Sequence, residues 1–483
     1  MPIDTGASDM SSWVASGHDF ASGNILLSGW YGGAQTEYFP QRFVNGITAL
    51  LFNDWHQSFV WAEFIILCMA LFGMYIISSR LVEDKFNPLI FIGVTAIFIG
   101  GVQIPNLAWT NHLGSIGLML IPAYLLYIPR LKKTGIIIVI GFIALITNNY
   151  VFIYFVIPYI IERAIHIYRT KKIDRRLIWV FTGLILYMLA GALFAHSRIT
   201  PSIKYKPKFI QNDSLFPKLQ DLTFSVFDGF NGSIWGNSPF TCHSIYFLLV
   251  IIMIFMTLLI IRNKFSKNWI AEDQSDSLTS FLVISSVFVI AASIFANNYF
   301  SHEKNIIPPR YLIGFYVNSS ILLITQLHAL IKKQSAAQVF MAAALVLSIW
   351  SNHGLFKEAS SNILYRDMAN IIKYHKLEQC GYAPSYIANN INIYLNRQQL
   401  VHFESYLNNP EAVKYCPANF ILQFADRTYS TGSDSFLYSM QQVLPEPTQI
   451  VNTRYFLLSI YDYDISQEIP MNEAISRSNP KPE

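Results

Sequence analysis

Apolar runs long enough to cross a bilayer recur along this chain of 483 residues, and they leave little choice of environment. A membrane-spanning helix needs about 17–25 predominantly apolar residues. Such runs are read near 58–78, 87–104, 112–128, 135–147, 150–161, 177–196, 244–262, 278–296, 311–331 and 336–350. The runs 135–147 and 150–161 are short, and a broken or tilted pair is the other reading of them. Composition agrees: 53% of residues are hydrophobic and 13% charged, against roughly 25% charged in soluble domains. The expected fold class is mainly α, a polytopic helical membrane protein of about ten spans.

Charge orients it. The loops 79–86, 129–134, 162–176, 262–277 and 332–335 are rich in Lys and Arg, including "RLKK" and "RTKKIDRR". The turns 105–111 and 148–149 between them carry neither, and 297–310 holds only Lys304 and Arg310. By the positive-inside rule the basic set is cytoplasmic. The N-terminal stretch, the loop 197–243 and the tail from 351 are then expected on the outer face. These loops account for the net charge of +4, so it gives no argument for nucleic acid. The chain begins already on that outer face, so an upstream first span is expected to be missing from this start, the other reading being an N-terminal tail of about 57 residues translocated alone.

Three regions follow: 1–57, an outer segment with interfacial helices; 58–350, the membrane core; and 351–483, a small α/β domain. In the first, Ser8 is placed as N-cap of a helix running to about Ala21, with Asp9 in its first turn. Trp13 and Phe20 would rest at headgroup level, and "QRFVNGITALLF" reads as a second interfacial helix. In the tail, helical signals lie at 360–378 and strand-like runs at 418–424 and 454–461. Cys380 and Cys416 sit in this exported part, where disulfides persist. A bridge between them would contribute about 4 kcal/mol; two buried thiols are the alternative. No metal-ligand spacing occurs among the cysteines or the 11 His, so no metal is expected.

Several residues suit chemistry at a membrane surface. Asp9 and Asp4 stand where a helix begins, as a general base on an acceptor hydroxyl would, although acids at helix starts are commonplace. Arg310 follows Pro308–Pro309 at the head of a span, with Lys304 and His302 near. Its planar donor fork matches phosphate; the alternative is a snorkelling lipid anchor. Asn111 and His112, and Asn148 and Asn149, offer uncharged hydrogen-bonding groups at outer span ends, suited to a sugar or serving as caps. Glu63 lies about one turn inside its span, where a charge is costly. The loop 197–243, with Trp235, mixes charges and aromatics as a carbohydrate-facing lid would. The tyrosines of the tail would stack on sugars or line a core.

The order of these features resembles the GT-C class of membrane glycosyltransferases, which use polyprenyl-phosphate sugars. The likeness is carried by "SDMSSWVASGHDFASGN", then "EYFPQRFVNGITALLFND" with Glu37, and by "PPRYLIGFY", similar to the Arg-Tyr segment that contacts the donor phosphate, here Arg310 and Tyr311. "ITNNYVF" has Asn148 and Asn149 where relatives often carry Ser-Asp. Architecture is most like the O-antigen glucosyltransferases of serotype-converting phages. The resemblance implies an inverting transfer of a hexose, glucose above all, from undecaprenyl phosphate to a lipid-linked polysaccharide in the periplasm, with no cofactor. Asp9, and Asp4 second, would act as base. Arg310, Lys304, His302 and Tyr311 would hold phosphate, and Glu37, Asn111, His112, Asn148, Asn149 and Trp235 would face sugar or acceptor. It also implies residence in the bacterial inner membrane with a periplasmic C-terminus, contact with membrane lipids, and dependence on a polyprenyl-phosphate sugar synthase and a flippase. Rival expectations are another transfer of the same class, onto lipid A or a teichoic acid, a non-enzymatic lipid-linked-sugar flippase or transporter, and an O-acetyltransferase.

Overall fold

The structure is a computed structural model. It describes residues 7–25, 27, 38–82, 110–127, 151–171, 176–196, 215–229, 242–266, 274–295, 312–330, 360–397, 399–401, 417–425, 444–453 and 455–467, with isolated positions between them. The described chain is mainly helical with one small sheet.

Two helices form the outer layer, α1 (Ala7–Ala21) and α2 (Phe43–Leu51), the second entered through a π-helical turn at Tyr38–Arg42. The long helix α3 (Trp55–Val82) follows, then α4 (Thr110–Leu126). A second π-helical turn, Phe152–Val156, leads into α5 (Ile157–Thr170). The bundle continues with α6 (Arg176–His196), α7 (Leu215–Gly229), α8 (Cys242–Ser266), α9 (Gln274–Phe295) and α10 (Ile313–Leu330). Among the described residues, Trp55–Val82 and the segment Ser277–Ile294 of α9 are each long and apolar enough to cross a membrane. Shorter apolar helices lie within α4, α6, α8 and α10.

Small residues let α3 and α4 approach closely. A Cβ on Gly73 would stand 2.4 Å from the carbonyl oxygen of Gly117, and one on Gly117 would stand 2.3 Å from Cα of Ala70. Close backbone approach of this kind is the usual basis of helix association where lipid removes the hydrophobic drive. The bundle core then gathers Met74, Met119, Tyr154, Phe155, Phe281 and Tyr316 into one apolar cluster.

The expected span 150–161 ends differently. The helix runs on to Thr170, so Glu162 and Arg163, placed by the sequence in a cytoplasmic loop, are buried inside the bundle as an ion pair. They tolerate this because Tyr127 donates to Glu162 Oε2 at 2.8 Å and Arg163 lies 4.8 Å over the Tyr127 ring. Trp13 and Phe20, expected to rest among headgroups, face protein. Both are buried, and Phe20 packs edge-on to Phe43 at 5.9 Å and against Gly46. Gly46 has no Cβ to hold that ring away, so α1 closes onto α2 rather than onto lipid.

The tail has a core of its own, built from α11 (Ser360–Tyr374), α12 (Ser385–Leu395) and a five-stranded sheet. The strands are β1 (Cys380–Tyr382), β2 (Leu400–Val401), β3 (Ala418–Phe424), β4 (Gln449–Asn452) and β5 (Phe456–Ile460), in the order β2-β1-β3-β5-β4. β1 is parallel to β2 and β3, while β5 is antiparallel to β3 and β4. Parallel neighbours need a crossover, and α12 supplies it between β1 and β2. Buried Asn392 fixes the return: its Oδ1 accepts from the Leu400 amide at 2.7 Å and its Nδ2 donates to the Leu400 carbonyl at 2.8 Å. Tyr365, Tyr382 and Tyr461 are buried, so part of the tyrosine set lines the core. Burial pushes the Tyr382 hydroxyl well above the ordinary phenol range and raises that of Tyr461.

Cys380 is disulfide-bonded and Cys68 is a free thiol. Cys416 lies outside the described residues, two positions before Ala418, the residue paired with Cys380 across the sheet. Its bond to Cys380 remains a proposal.

Candidate functional site

The site is built at the start of α3, where the first segment of the chain meets the tail. Asp54 caps α3: its Oδ1 accepts from the Gln57 amide at 2.8 Å, a carboxylate on free helix-start donors. A second cap arrives from the far end of the sequence. Asn396 ends α12 with φ 58°, a left-handed position that Asn tolerates. Its Oδ1 accepts from the Trp55 amide at 3.1 Å, and its Nδ2 donates to Asp54 Oδ2 at 3.3 Å. The His56 ring stacks on Tyr394, centroids 5.2 Å apart. α12 packs along α1 as well, so the tail domain closes over the outer layer.

His18 completes this junction. Its ring stacks on Trp55 at 4.8 Å, and Nε2 is 3.1 Å from Ser58 Oγ. Burial lowers its pKa to about 4, against the opposing pull of Asp54. The imidazole is therefore neutral near pH 7. Ser58 Oγ donates to the Trp55 carbonyl at 3.0 Å, so the hydroxyl accepts from His18 Nε2–H. That polarity is opposite to a base activating a nucleophile, and the pair orients α1 instead. α1 ends just beyond: Gly23 takes φ +112°, open to glycine, and Asn24 Nδ2 bonds back to Asp19 Oδ2 at 2.7 Å.

The second feature is the inverted pattern of α2. Its outward residues are apolar, with Leu50 60% and Leu51 72% exposed. Its buried face is mixed: Asn45 and Thr48 lie beside Val44, Gly46 and Ala49, and Gln41 and Arg42 are buried in the π-helical turn before it. A helix with apolar residues outside and polar residues among those inside suits an apolar solvent around a polar interior. The exposed Val60, Trp61 and Phe64 of α3 continue that apolar surface. Close packing ties α1 to this row, since a Cβ on Gly17 would lie 2.7 Å from the Asn45 carbonyl carbon. Contacts step the same way along both helices, Gly17 on Asn45 and then Phe20 on Gly46. α1 also meets the π-helical turn of Arg42, which packs on α4 as well. π-helical turns recur at functional sites.

Of the sequence-derived candidates, Asp9 lies in that first turn of α1, and Asn111 and His112 lie in the first turn of α4. Glu63 sits in the third turn of α3, half-buried. Asp4, Glu37, Asn148, Asn149, Trp235, His302, Lys304, Arg310 and Tyr311 lie outside the described residues. His18, Arg42, Asn45 and Asn396 were not singled out from sequence. The available signal was the polar spacing of Gln41, Asn45 and Thr48 on one face of an otherwise apolar helix.

Deeper in the bundle, a polar seam joins three helices. Tyr154, in the second π-helical turn, donates to Asn318 Oδ1 at 2.7 Å, and its carbonyl accepts from Ser285 Oγ at 2.6 Å. A π-helical turn disturbs the backbone ladder, and Ser285 satisfies a carbonyl there. Asn318 Nδ2 donates to the Leu282 carbonyl at 3.2 Å. Near the mouth, Tyr316 donates to the Ser225 carbonyl at 2.9 Å and fixes α7 to α10.

No family model matches this chain, and no curated protein matches it.

Proposed function

We propose that the chain is a membrane glycosyltransferase that moves a hexose, glucose in the first instance, from undecaprenyl phosphate to O-antigen or another surface glycan at the periplasmic face. One observation supports this most: the outer layer buries the polar side chains Gln41, Arg42, Asn45 and Thr48 beneath an exposed apolar face of α2, and Asp9 stands in the first turn of the helix packed on that row. A lipid-linked sugar has that same division, a charged and hydroxylated headgroup on an apolar tail. The resemblance of "SDMSSWVASGHDFASGN" and "PPRYLIGFY" to the GT-C class supports the same chemistry.

In this reading the acceptor hydroxyl attacks the anomeric carbon and its proton passes to Asp9, with Asp4 second. The bond from the anomeric carbon to the phosphate oxygen breaks, and undecaprenyl phosphate leaves with the electron pair. Arg310, aided by Lys304, His302 and Tyr311, holds the phosphate as its charge develops. Asp9→Asn keeps helix-start hydrogen bonding but removes basicity, worth roughly 10²- to 10⁴-fold in rate. A glycan-modification assay should fall by that factor at equal membrane abundance, and Asp4→Asn should fall less. Normal modification in both single variants and the double variant sinks the reading.

A transporter is the second reading, and the buried Glu162–Arg163 pair favours it, since paired charges inside a bundle often mark a translocation path. Glu162→Gln at equal membrane abundance separates the two. A transferase keeps its transfer rate with pre-flipped donor, whereas a transporter loses donor movement.

A further inference from the structure

The tail domain buries both faces of its central strands, and the two faces differ in chemistry. Phe420, Leu422, Phe424, Phe456, Leu458 and Ile460 meet α11 and α12 in one apolar cluster. Side chains alternate along a strand, so Asn419, Ile421 and Gln423 of β3 lie on the other face, with Leu457 and Ser459 of β5. The pairing of Phe420 with Ile460 sets Asn419 opposite Tyr461, whose amide donates to the Asn419 carbonyl at 2.8 Å. Gln423 and Ser459 are 1% exposed and Tyr461 is 2% exposed. This second face is buried yet largely polar.

Two groups at one end of it have no answer within the protein. The Tyr461 hydroxyl and Asn419 Oδ1 are buried with no hydrogen-bond partner. A buried tyrosine hydroxyl usually finds a partner, and a buried polar group without one is costly. Both stand in an aromatic, polar corner. The Tyr463 ring meets Tyr461 edge-on at 5.8 Å. Asp464 follows, its Oδ1 accepting from the Ala418 amide at 2.9 Å and the Ser466 hydroxyl at 2.6 Å. Asn419, Tyr463 and Asp464 are only half-buried, so the corner has an open side. Hydroxyl-binding groups beside an aromatic ring suit a pyranose, which offers hydroxyls at its edge and a C–H face to the ring. The Asp464 carboxylate at the rim disfavours an anionic ligand.

We propose that this corner of the tail holds a neutral sugar ring of the acceptor glycan, one hydroxyl donating to Asn419 Oδ1 and another pairing with the Tyr461 hydroxyl. That the glycan is the acceptor rests on the transferase reading; the sugar site itself does not. α12 packs on α1, the helix of Asp9, so a polymer held by the tail stays tethered to the layer that carries the proposed base.

The test titrates the purified full-length chain in nanodiscs with neutral O-polysaccharide fragments freed of lipid, and with polygalacturonate as the anionic polymer. Wild type should bind the neutral fragments and not the polygalacturonate. Tyr461→Phe and Asn419→Ala should each weaken that binding about three- to tenfold, the range of a neutral hydrogen bond. Without sugar, Tyr461→Phe should melt at or above wild type, because it removes a buried hydroxyl that has no partner. Lower melting would give that hydroxyl a structural partner and overturn the site. Unchanged binding in Tyr461→Phe overturns it too, as does a wild type that binds no neutral fragment or binds polygalacturonate equally well. Should Asn419→Ala fail to fold, Tyr461→Phe decides alone. A wild type that binds the fragments through these residues but transfers no hexose sinks the transferase reading and leaves the sugar site standing.

Discussion

At the scale of single residues, His18 shows how burial changes what a side chain can do. Its pKa of about 4, against an ordinary 6.5, comes from burial beside Trp55, with Asp54 opposing. The folded state therefore binds fewer protons than the unfolded state between these values. Stability is full above pH 6.5, falls as pH drops from 6.5 toward 4, and levels off below. His18→Gln retains a donor for Ser58 without titrating. Melting curves of the purified protein from pH 7 to 4 should show a steeper loss in wild type than in this variant. Parallel curves would remove His18 from the acid response. Nothing around "SGHDF" announces this role, because the partners Trp55 and Ser58 are 37 and 40 positions along the chain and become neighbours only when α1 folds back. The place of Asp9 in a first helical turn was legible, since a helix start is a local event. The burial of Arg42 was not, since an arginine after Pro40 and Gln41 reads equally well as a snorkelling anchor, and only the packing of several helices around its turn buries it.

At the scale of elements, length and periodicity carried far. The helix from about Ser8 to Ala21 forms as Ala7–Ala21, and "ANFILQF" forms a strand over its whole length. What failed was the choice of face. Trp13 and Phe20 suited a membrane surface by their aromatic character, yet both are buried, and Gly46, without a Cβ, leaves room for the Phe20 ring. The end of α5 was misread for a related reason. Glu162 and Arg163 look like loop charges until Tyr127 is placed beside them. Glycines decide the bundle in the same way. Gly117→Ala would drive a Cβ to 2.3 Å from Ala70 Cα, where backbone must give. Overpacking costs about 1–3 kcal/mol, so this variant should melt well below wild type in detergent. Gly141 has open space around its Cβ position, and Gly141→Ala is the control that should melt like wild type. Equal melting of the two variants would mean that α3 and α4 slide apart without cost.

At the scale of the whole molecule, the capping of α3 by Asn396 fixes a relation that loop charges leave open. The Trp55 amide and the Asp54 carboxylate both bond to Asn396, 341 and 342 positions away. α12 also runs against α1. The first segment and the tail must then lie on one side of whatever surrounds α3. This holds whichever side that is, so it can be tested apart from the sign. Reporter fusions at Asn24 and Tyr415 should agree with each other because of the shared junction. They should both read as exported because the basic loops "RLKK" and "RTKKIDRR" claim the cytoplasm. Two cytoplasmic signals would reverse the charge argument and move the proposed transferase site to the wrong face, with the junction intact. One signal of each kind would break the junction itself. The bond from Asn396 to Trp55 would then have no place in the protein, and α1 would lose its packing against α12.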